Sequence, residues 1–386
     1  MSNVRARQLA LPTLLCLALA TASVTAQHPD ADRGQGREGQ EHHEGGPDRP
    51  IRVDCAHGGS IGRALEQFPE RTDSITIEIS GFCEEALVIS RKVILRGSDP
   101  NTDGISGPPT LPLTTTALIN VHGVSGFGTS GYEVVRFEHL SIVGSPNLGL
   151  AVNTAQLGLS DVTISHHTNQ AMLAFQGGSI YGDHVRIVDN NNIGLNGAGG
   201  HINCVDCELT NNNPGGGPAA VVNAGSTVIL LNAAITGRAG VQAVGGGNLL
   251  MIGGTINAQT RAVSAQQAGQ LQFRDNVQVT GSVICSVQGL IDSRQGPTTF
   301  GLHQLSNASG GNNQITNGCF MMAGPGTTIL TGQTTVSVGA YVGTEGGPAA
   351  VLKFGALSCS TGGKVTTTGG NVSVNNVPGI PAPCGT

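Results

Sequence analysis

The sequence predicts an all-β parallel solenoid, in which the chain winds through stacked coils. Short β-type apolar phrases recur at a nearly constant interval, with Gly, Asn and Asp between them. A period of about 22 residues with two or three such phrases suits one coil of a solenoid. The 386 residues include 59 Gly, which supply the positive φ of tight corners, and 38% are hydrophobic, which is enough for a packed core.

One phrase of the repeat ends on an aliphatic residue that we expect to face the interior of each coil. From residue 142 onward, the intervals between these residues are 22, 23, 22, 26, 21 and 23 positions. A second apolar phrase, from LAV at 150–152 to VICSV at 283–287, keeps the same period. Coils stack about 4.8 Å apart, so each coil buries its apolar residues against its neighbours. The first interior column is predicted to contain Ile142, Ile164, Ile187, Leu209, Ile235, Ile256 and Val279.

Two other repeat architectures of similar period lack their signatures here. Leucine-rich repeats need a fixed L-x-x-L-x-L phrase with Asn, and helical repeats need long apolar runs of period 3.6. The period lapses from Ser98 to Thr116 and from Gly296 to Gly318, where we expect loops that leave the stack. Apolar phrases return at 328–338, 349–354 and 372–377, so the last coils are predicted to be irregular.

The N-terminus has the pattern of an export signal. Arg5 and Arg7 precede an apolar run from Leu9 to Ala20, and small residues up to Ala26 suit a cleavage site. Residues 1–26 are therefore predicted to be a signal peptide. No later segment approaches the ~18 apolar residues of a membrane span, so the mature chain is expected to be secreted or periplasmic without a transmembrane anchor.

The rest of the chain divides by composition. Residues 27–50 mix Gly, His and charged residues without a large aliphatic side chain, and they are predicted to form a disordered linker. Residues 51–376 are predicted to form one β-helix domain, and the Pro-rich residues 377–386 a C-terminal tail.

A short amphipathic helix is predicted before the first coil strand, which we place at Ser74 to Ile79. Ser60 is a suitable N-cap, and Pro69 would end the helix. An uncapped solenoid end exposes the core and an unpaired strand edge, so this helix is expected to cap the stack. Its apolar positions are Ile61, Ala64, Leu65 and Phe68.

The cysteines predict disulfides. Eight of the nine Cys follow the signal peptide, an even number in an exported chain. Pairing nearest neighbours along the chain is one of 105 connectivities that the sequence leaves open. The C-x-x-C phrase at Cys204 and Cys207 lies on a predicted strand without a following helix, which favours a structural disulfide or buried thiols over redox chemistry.

The opening of the predicted domain resembles a known family. The phrases VDCAHGGSIGRALEQF, ITIEISGFCEEALVI and KVILRG resemble the start of secreted right-handed parallel β-helix proteins of the pectin-lyase-like superfamily. The resemblance covers Ile51 to about Asn376 and implies a right-handed winding. It also implies a disulfide between Cys55 and Cys83, which would tie the cap to the first coil. The Asp-Asp phrase of the polygalacturonase branch is absent, so no catalytic residue is carried over.

One polar patch has the residue types for polysaccharide chemistry. If Val162, Val185 and Cys207 face inward, the residues before and after them form two outward columns on successive coils. Paired carboxylates beside a His suit a divalent cation, with Ca2+ the expected ion, and a neighbouring Arg suits proton abstraction next to a uronate. The candidate catalytic residues are Asp161, Asp183, His184, Arg186 and Asp206.

A solvated ladder explains the same pattern without catalysis. In that interpretation His184 lies between two acids and Arg186 pairs with Glu208, at about 0–1 kcal/mol per exposed pair. The next corner stacks two further polar columns, which we expect to satisfy backbone groups. These columns contain His166, Asp189 and Asn211, and His167, Asn190 and Asn212.

Composition narrows the function classes. The net charge is -6 and 11% of residues are charged, so the phosphate-binding surface of a nucleic-acid partner is lacking. The chain has no Trp and three Tyr, which weighs against a processive glycan enzyme, although Phe300 and Tyr181 are candidate ring platforms. The favoured function is a non-catalytic surface, scaffold or adhesive module toward glycans or envelope components. The alternative is a polysaccharide lyase or hydrolase acting on acidic glycans.

Overall fold

The chain forms a parallel β-solenoid of about 12 turns. The structure is a computed structural model, and it describes residues 50–67, 74–111, 116–123, 135–215, 217–275, 277–294, 304–306, 313–324, 326–345, 349–382 and 384–385. The predicted signal peptide, the linker up to residue 49, Phe68, Pro69, Tyr132 and Phe300 lie outside the described residues. No helix in the described ranges has the length and apolar character to cross a bilayer.

The β-strands are numbered in chain order. The first are β1 (Ile51–Asp54), β2 (Ile75–Ser80), β3 (Phe82–Glu84), β4 (Leu87–Ile89), β5 (Val93–Arg96), β6 (Gly104–Ser106), β7 (Ala117–His122), β8 (Val135–Val143), β9 (Leu148–Asn153), β10 (Gln156–Ser165), β11 (Met172–Phe175) and β12 (Ser179–Asp183). The next are β13 (Arg186–Val188), β14 (Leu195–Ala198), β15 (His201–Val205), β16 (Glu208–Asn212), β17 (Pro218–Asn223), β18 (Thr227–Leu231), β19 (Ala234–Gly237), β20 (Ala239–Val244), β21 (Asn248–Ile252), β22 (Thr255–Gln266), β23 (Gln270–Arg274) and β24 (Gln278–Ser286). The last are β25 (Leu290–Ser293), β26 (Gln304–Ser306), β27 (Asn313–Ile315), β28 (Phe320–Ala323), β29 (Gly326–Ser337), β30 (Tyr341–Glu345), β31 (Ala350–Ser360), β32 (Lys364–Thr368), β33 (Asn371–Val374) and β34 (Val377–Pro378).

The strands stack into three parallel faces, and each strand pairs with its neighbours in the adjacent coils. Face A consists of β1, β2, β5, β8, β10, β12, β15, β18, β21, β23, β25, β28, β30 and β32. Face B consists of β3, β6, β8, β10, β13, β16, β19, β22, β24, β26, β29, β31 and β33. Face C consists of β4, β7, β9, β11, β14, β17, β20, β22, β24, β27, β29 and β31. The longer strands turn a corner and so belong to two faces. Strand β34 closes the chain antiparallel to β33.

The predicted interior column is confirmed. Ile164 pairs in register with Ile187, Ile187 with Leu209, and the register continues through Ile235 and Ile256. These side chains are buried in one continuous core cluster. Each coil of a solenoid packs only against the adjacent coils. The aliphatic contacts between successive coils therefore stabilise the stack, together with the backbone hydrogen bonds.

The structure corrects three sequence expectations about the strands. The first coil strand is β1, which precedes the helix and pairs with β2, whereas we expected the first strand at Ser74. The two segments expected to leave the stack each contribute strands to it. Strand β6 lies in the first segment and buries Ile105, and strands β26 and β27 lie in the second. The Pro, Gly, Thr and Asn around these strands concealed the period in the sequence.

The predicted helix forms as α1 (Ile61–Glu66). The Ser60 hydroxyl accepts the N–H of Arg63, as an N-cap should. The Glu85 carboxylate, from the turn after β3, accepts the N–H groups of Ile61 and Gly62 at 2.6 and 3.0 Å. A carboxylate at this end satisfies free backbone donors and is favoured by the helix dipole. The buried face of α1 joins the core cluster, and its role as an end cap stays a prediction.

All eight described cysteines are paired, including the expected pair Cys55–Cys83. The C-x-x-C phrase is a buried disulfide that spans the corner between faces A and B within one coil. The other pairs follow the nearest-neighbour order along the chain, Cys285–Cys319 and Cys359–Cys384. The last of these ties the C-terminal tail to β31.

Candidate functional site

A column of left-handed residues forms the corner between faces A and B. The chain turns there within one residue, and φ lies between 50° and 55° at each non-Gly position. Asn, Asp and His tolerate this region better than other side chains, so the backbone itself explains why acids and His alternate at this corner. We call these residues the A/B corner column: His139, Asp161, His184, Asp206, Asn232 and Asp275.

Three of the five candidate catalytic residues come together. One ligand atom each of Asp183, His184 and Asp206 lies within 4.8 Å of the others, on the solvent side of the corner. His184 Nδ1 lies 2.9 Å from Asp183 Oδ1, with side chains 62% and 58% exposed. The sequence placed these residues on adjacent coils, and the structure shows all three exposed on the surface.

The other two candidates have different partners. Asp161 Oδ2 lies 3.2 Å from His139 Nδ1, one coil toward the N-terminus. Arg186 Nε donates to Glu208 Oε2 at 3.0 Å, as the solvated-ladder interpretation expects. This hydrogen bond, with a second from the Thr210 hydroxyl, holds the pKa of Glu208 below its ordinary value. The Arg186 guanidinium is therefore engaged by a neighbour on its own face.

The donor set of Asp183, His184 and Asp206 is a poor fit to Ca2+. Calcium takes about six to eight oxygen ligands and prefers carboxylates and carbonyls. Here the cluster supplies two carboxylates, and its third group is an imidazole, which suits transition metals better than calcium. All three side chains are exposed, so any ion held here would keep most of its water.

A groove beside the cluster adds residues that the sequence did not indicate. It has a volume of about 290 Å³ and lies on the outside of face A. Glu138 lines it and accepts from Arg96 at 2.7 Å and from Arg136 at 3.4 Å. Tyr181 and Asp183 form one wall. We call this the Tyr181 groove; its lining is Arg136, Glu138, Leu159, Ser160, Tyr181, Gly182 and Asp183.

An aromatic pair borders the Tyr181 groove. The rings of Tyr181 and His201 lie 6.1 Å apart between centroids and are tilted by 56°. Partial burial lowers the pKa of His201, so the imidazole is neutral at physiological pH. Arg136 and Glu138 precede the regular repeat and His201 lies outside its recurring phrases, which is why the period alone could not place them beside Tyr181.

A larger cavity of about 620 Å³ lies next to the groove, toward the N-terminus. Its lining includes His139 of the corner column and Ser98, at the start of the first irregular segment. Asp103 lies at its base. Although burial opposes ionisation, N–H donors from Ser98, Gly81 and Asp99 and the Ser98 hydroxyl lower the pKa of Asp103 to about 2. These donors occupy the Asp103 carboxylate, which links the segment to the turn between β2 and β3.

The second polar corner is structural. His167, Asn190 and Asn212 are fully buried on successive coils. Asn190 Oδ1 accepts the His167 N–H at 3.0 Å, and Asn190 Nδ2 donates to Asn212 Oδ1 at 2.7 Å. His167 Nδ1 accepts the Ser145 N–H, so Nε2 donates to the Ile142 carbonyl. The ladder satisfies backbone groups of the corner, as the sequence predicted.

No protein-family model matches the chain, and no curated protein matches it. The chain is similar to solved structures at low identity. Tailspike protein 2 of Escherichia coli O157:H7 bacteriophage CAB120 is 10% identical, with a TM-score of 0.44, over 85% of this chain and 46% of that one. An Acinetobacter phage tailspike is 10% identical, with a TM-score of 0.40, over 86% and 64%. The catalytic unit of a GH87 alpha-1,3-glucanase from Streptomyces thermodiastaticus is 13% identical, with a TM-score of 0.34, over 85% and 69%. The chain thus spans about half the length of the first of these proteins.

Proposed function

We propose that this parallel β-helix is an exported, non-catalytic protein that binds glycans on the outside of face A. The observation that carries the proposal is the Tyr181 groove, which combines an exposed aromatic ring with the Glu138 carboxylate, held by Arg96 and Arg136 on the outside of the sheet. Sugar sites join an apolar ring surface to a few well-placed polar groups. The disulfides of the described chain support an oxidising compartment.

The environment of the candidate catalytic residues favours binding over catalysis. Acid–base catalysis depends on groups that are oriented and shielded from water. Asp161 and Asp183 are 55% and 58% exposed. Arg186 Nε is paired with Glu208, and the Arg186 side chain is 56% exposed on an open face. These contacts describe a solvated ladder beside a groove.

The binding proposal is tested by affinity electrophoresis of the full chain through gels that contain neutral or acidic polysaccharides. We expect at least one polysaccharide to retard the protein. Tyr181→Ala removes the ring wall and should weaken the retardation at least fivefold, whereas Tyr181→Phe keeps the ring and should retain it. Mobility that no polysaccharide alters, or a Tyr181→Ala variant that binds as tightly as the original chain, would contradict the proposal.

A lyase or hydrolase with a cation remains the second candidate, because Asp183, His184 and Asp206 converge. If these residues hold an ion only in the folded chain, the melting temperature must rise with its concentration. The measurement is a thermal melt with Ca2+ and with Mn2+, alongside release from polygalacturonate of unsaturated sugar, for a lyase, or of new reducing ends, for a hydrolase. A rise that Asp206→Asn abolishes, together with product release, would replace the binding proposal by the enzyme.

A further inference from the structure

A second aromatic surface lies on the outside of face A, in the C-terminal coils. Phe320 and Tyr341 pair in register, and their rings stack at 5.0 Å between centroids with 27° between planes. Phe320 is 50% exposed. The Tyr341 ring lies across Gly343, because a Cβ at that position would be 2.7 Å from Tyr341 Cε1. Gly343 thus lets the ring lie flat on the sheet, and the Tyr341 hydroxyl is fixed by a hydrogen bond with Thr366.

A bracket of charged side chains lies beside these rings. Arg294 Nε and Nη2 donate to the Asp292 carboxylate at 3.0 and 2.9 Å, and Nη1 donates to Glu345 Oε2 at 2.7 Å. One guanidinium therefore fixes two carboxylates from different coils. The Glu345 side chain is 55% exposed, so its remaining lone pairs face water. Glu345 follows Gly343 by two residues, which places it about 7 Å along the strand from the Tyr341 ring.

The rings and the carboxylates together select a type of ligand. A flat aromatic pair packs against the apolar face of a sugar ring, and fixed carboxylate oxygens accept hydrogen bonds from sugar hydroxyls. Arg294 is already bound on both sides, so it presents no free fork to a uronate, sulfate or phosphate. Asp292 and Glu345 are both bound to Arg294, and Lys364, paired in register with Tyr341, offers a point charge rather than a planar pair of donors. These groups favour a neutral sugar whose hydroxyls meet the fixed carboxylates.

We infer that the Phe320–Tyr341 surface is a subsite for neutral hexopyranose units of a polysaccharide. The inference rests on the proposed glycan-binding function and extends it to a second place on face A. His201, beside the Tyr181 groove, and Phe320 lie in one outward column, five coil steps apart through β18, β21, β23 and β25. At about 4.8 Å per step, His201 and Phe320 are about 24 Å apart. One extended polysaccharide can engage both, and the second contact then adds avidity.

The test uses the full chain in affinity electrophoresis with laminarin and dextran as neutral probes and polygalacturonate as the acidic one. Phe320→Ala should weaken retardation by a neutral probe at least fivefold. Phe82→Ala is the matched control, since Phe82 is also an exposed Phe, on face B at the other end of the stack, and it should change nothing. Gly343→Ala keeps both rings but lifts Tyr341 off the sheet, so it should also weaken binding. Circular dichroism melts confirm that each variant is folded.

The outcomes separate this subsite from the function on which it rests. Retardation that Tyr181→Ala abolishes and Phe320→Ala leaves unchanged would overturn the subsite and leave the glycan-binding function standing. Loss of neutral but not acidic retardation in Phe320→Ala supports the subsite. Equal loss for neutral and acidic probes would overturn its selectivity for neutral sugars. A chain that none of the three polysaccharides retards would overturn both proposals.

Discussion

At the scale of single residues, His167 shows how burial fixes a charge state. Its ring is enclosed between two coils, and both nitrogens are bound to backbone groups. Desolvation lowers the pKa of His167 from 6.5 to about 4. Gly149 makes the space, because a Cβ there would lie 2.6 Å from His167 Nε2. The imidazole therefore stays neutral in the folded chain at pH values where it would be charged in the unfolded chain.

His167 is expected to make the stability depend on pH. Because the folded pKa is the lower one, its stabilising effect is complete above pH 6.5, falls as pH drops toward 4 and changes no further below that. A shift from 6.5 to about 4 corresponds to about 3 kcal/mol. His167→Asn introduces the residue type that the next two coils have in this column, at Asn190 and Asn212. The variant should lose the part of the pH dependence of the unfolding free energy that His167 contributes. The measurement is urea unfolding at pH 7.5 and pH 4.5.

Exposed His122 provides the control for this experiment. His122→Asn should leave the difference in unfolding free energy between the two pH values unchanged. The same difference in His167→Asn as in the original chain would contradict the account of the ladder. A lower stability at both pH values would not by itself contradict the account, because only the difference in unfolding free energy between the two pH values reports the protonation of His167.

The sequence placed some residues of the candidate site and missed others for a clear reason. The period of the repeat located Asp183, His184 and Asp206 on neighbouring coils because one aliphatic position per coil fixes every residue beside it. Arg136 and Glu138 escaped notice because they lie before the regular period begins. Phe320 and Tyr341 lie in the irregular last coils, where the spacing no longer predicts which side chains stack.

At the scale of elements, the turn from face C to face A has a repeated conformation. Two consecutive residues have positive φ, as in the type I′ turns that favour Asn followed by Gly. Asn317 and Gly318 fit this preference, with φ values of 53° and 69°. Val287 and Val338 occupy the first position at 51° and 53°, although a β-branched side chain is unfavourable there. Both Val side chains are about half exposed, at 48% and 49%.

Val287→Asn is therefore expected to stabilise the chain. The left-handed conformation costs an ordinary residue about 1–2 kcal/mol, and Asn lowers this cost. The exposed Val287 side chain loses little packing, so we expect a gain of about 1 kcal/mol. Thermal melting measures it. Val88 is 50% exposed in strand β4, and Val88→Asn should destabilise because Asn suits extended backbone poorly. A lower melting temperature for Val287→Asn would contradict the strain argument.

Which elements the sequence revealed depended on their length and on Gly. Strands with aliphatic runs, such as β9 and β24, were visible as the phrases LAV and VICSV. Strand β6 contains one aliphatic residue between Gly104 and Ser106, and the Pro and Gly around it predicted a loop. The neighbouring coil, rather than its own composition, makes this segment a strand, since Ile105 pairs in register with Cys83 and Ile142. Such pairing is a tertiary effect that a period cannot show.

At the scale of the whole molecule, stability is expected to be local. Each coil contacts its neighbours, so the solenoid behaves as a one-dimensional stack in which the ends open first. The Cys359–Cys384 bond closes a separation of 25 residues at the C-terminal end. Cys384 is also buried, and its carbonyl accepts the Val365 N–H at 2.9 Å. The bond holds the last coils against fraying.

Replacing both cysteines, Cys359→Ser with Cys384→Ser, should therefore loosen one end alone. Removing such a bond costs about 2–4 kcal/mol, and hydrogen exchange should lose protection over residues 350–385. The coils that contain Ile164 and Leu209 should keep theirs. Cys204→Ser with Cys207→Ser is the matched control. In this variant the middle coils should lose protection from hydrogen exchange, and the C-terminal coils should keep it. A uniform loss of protection in the first variant would show that the coils unfold as a single unit, and the stack would then not be the one-dimensional assembly that its contacts indicate.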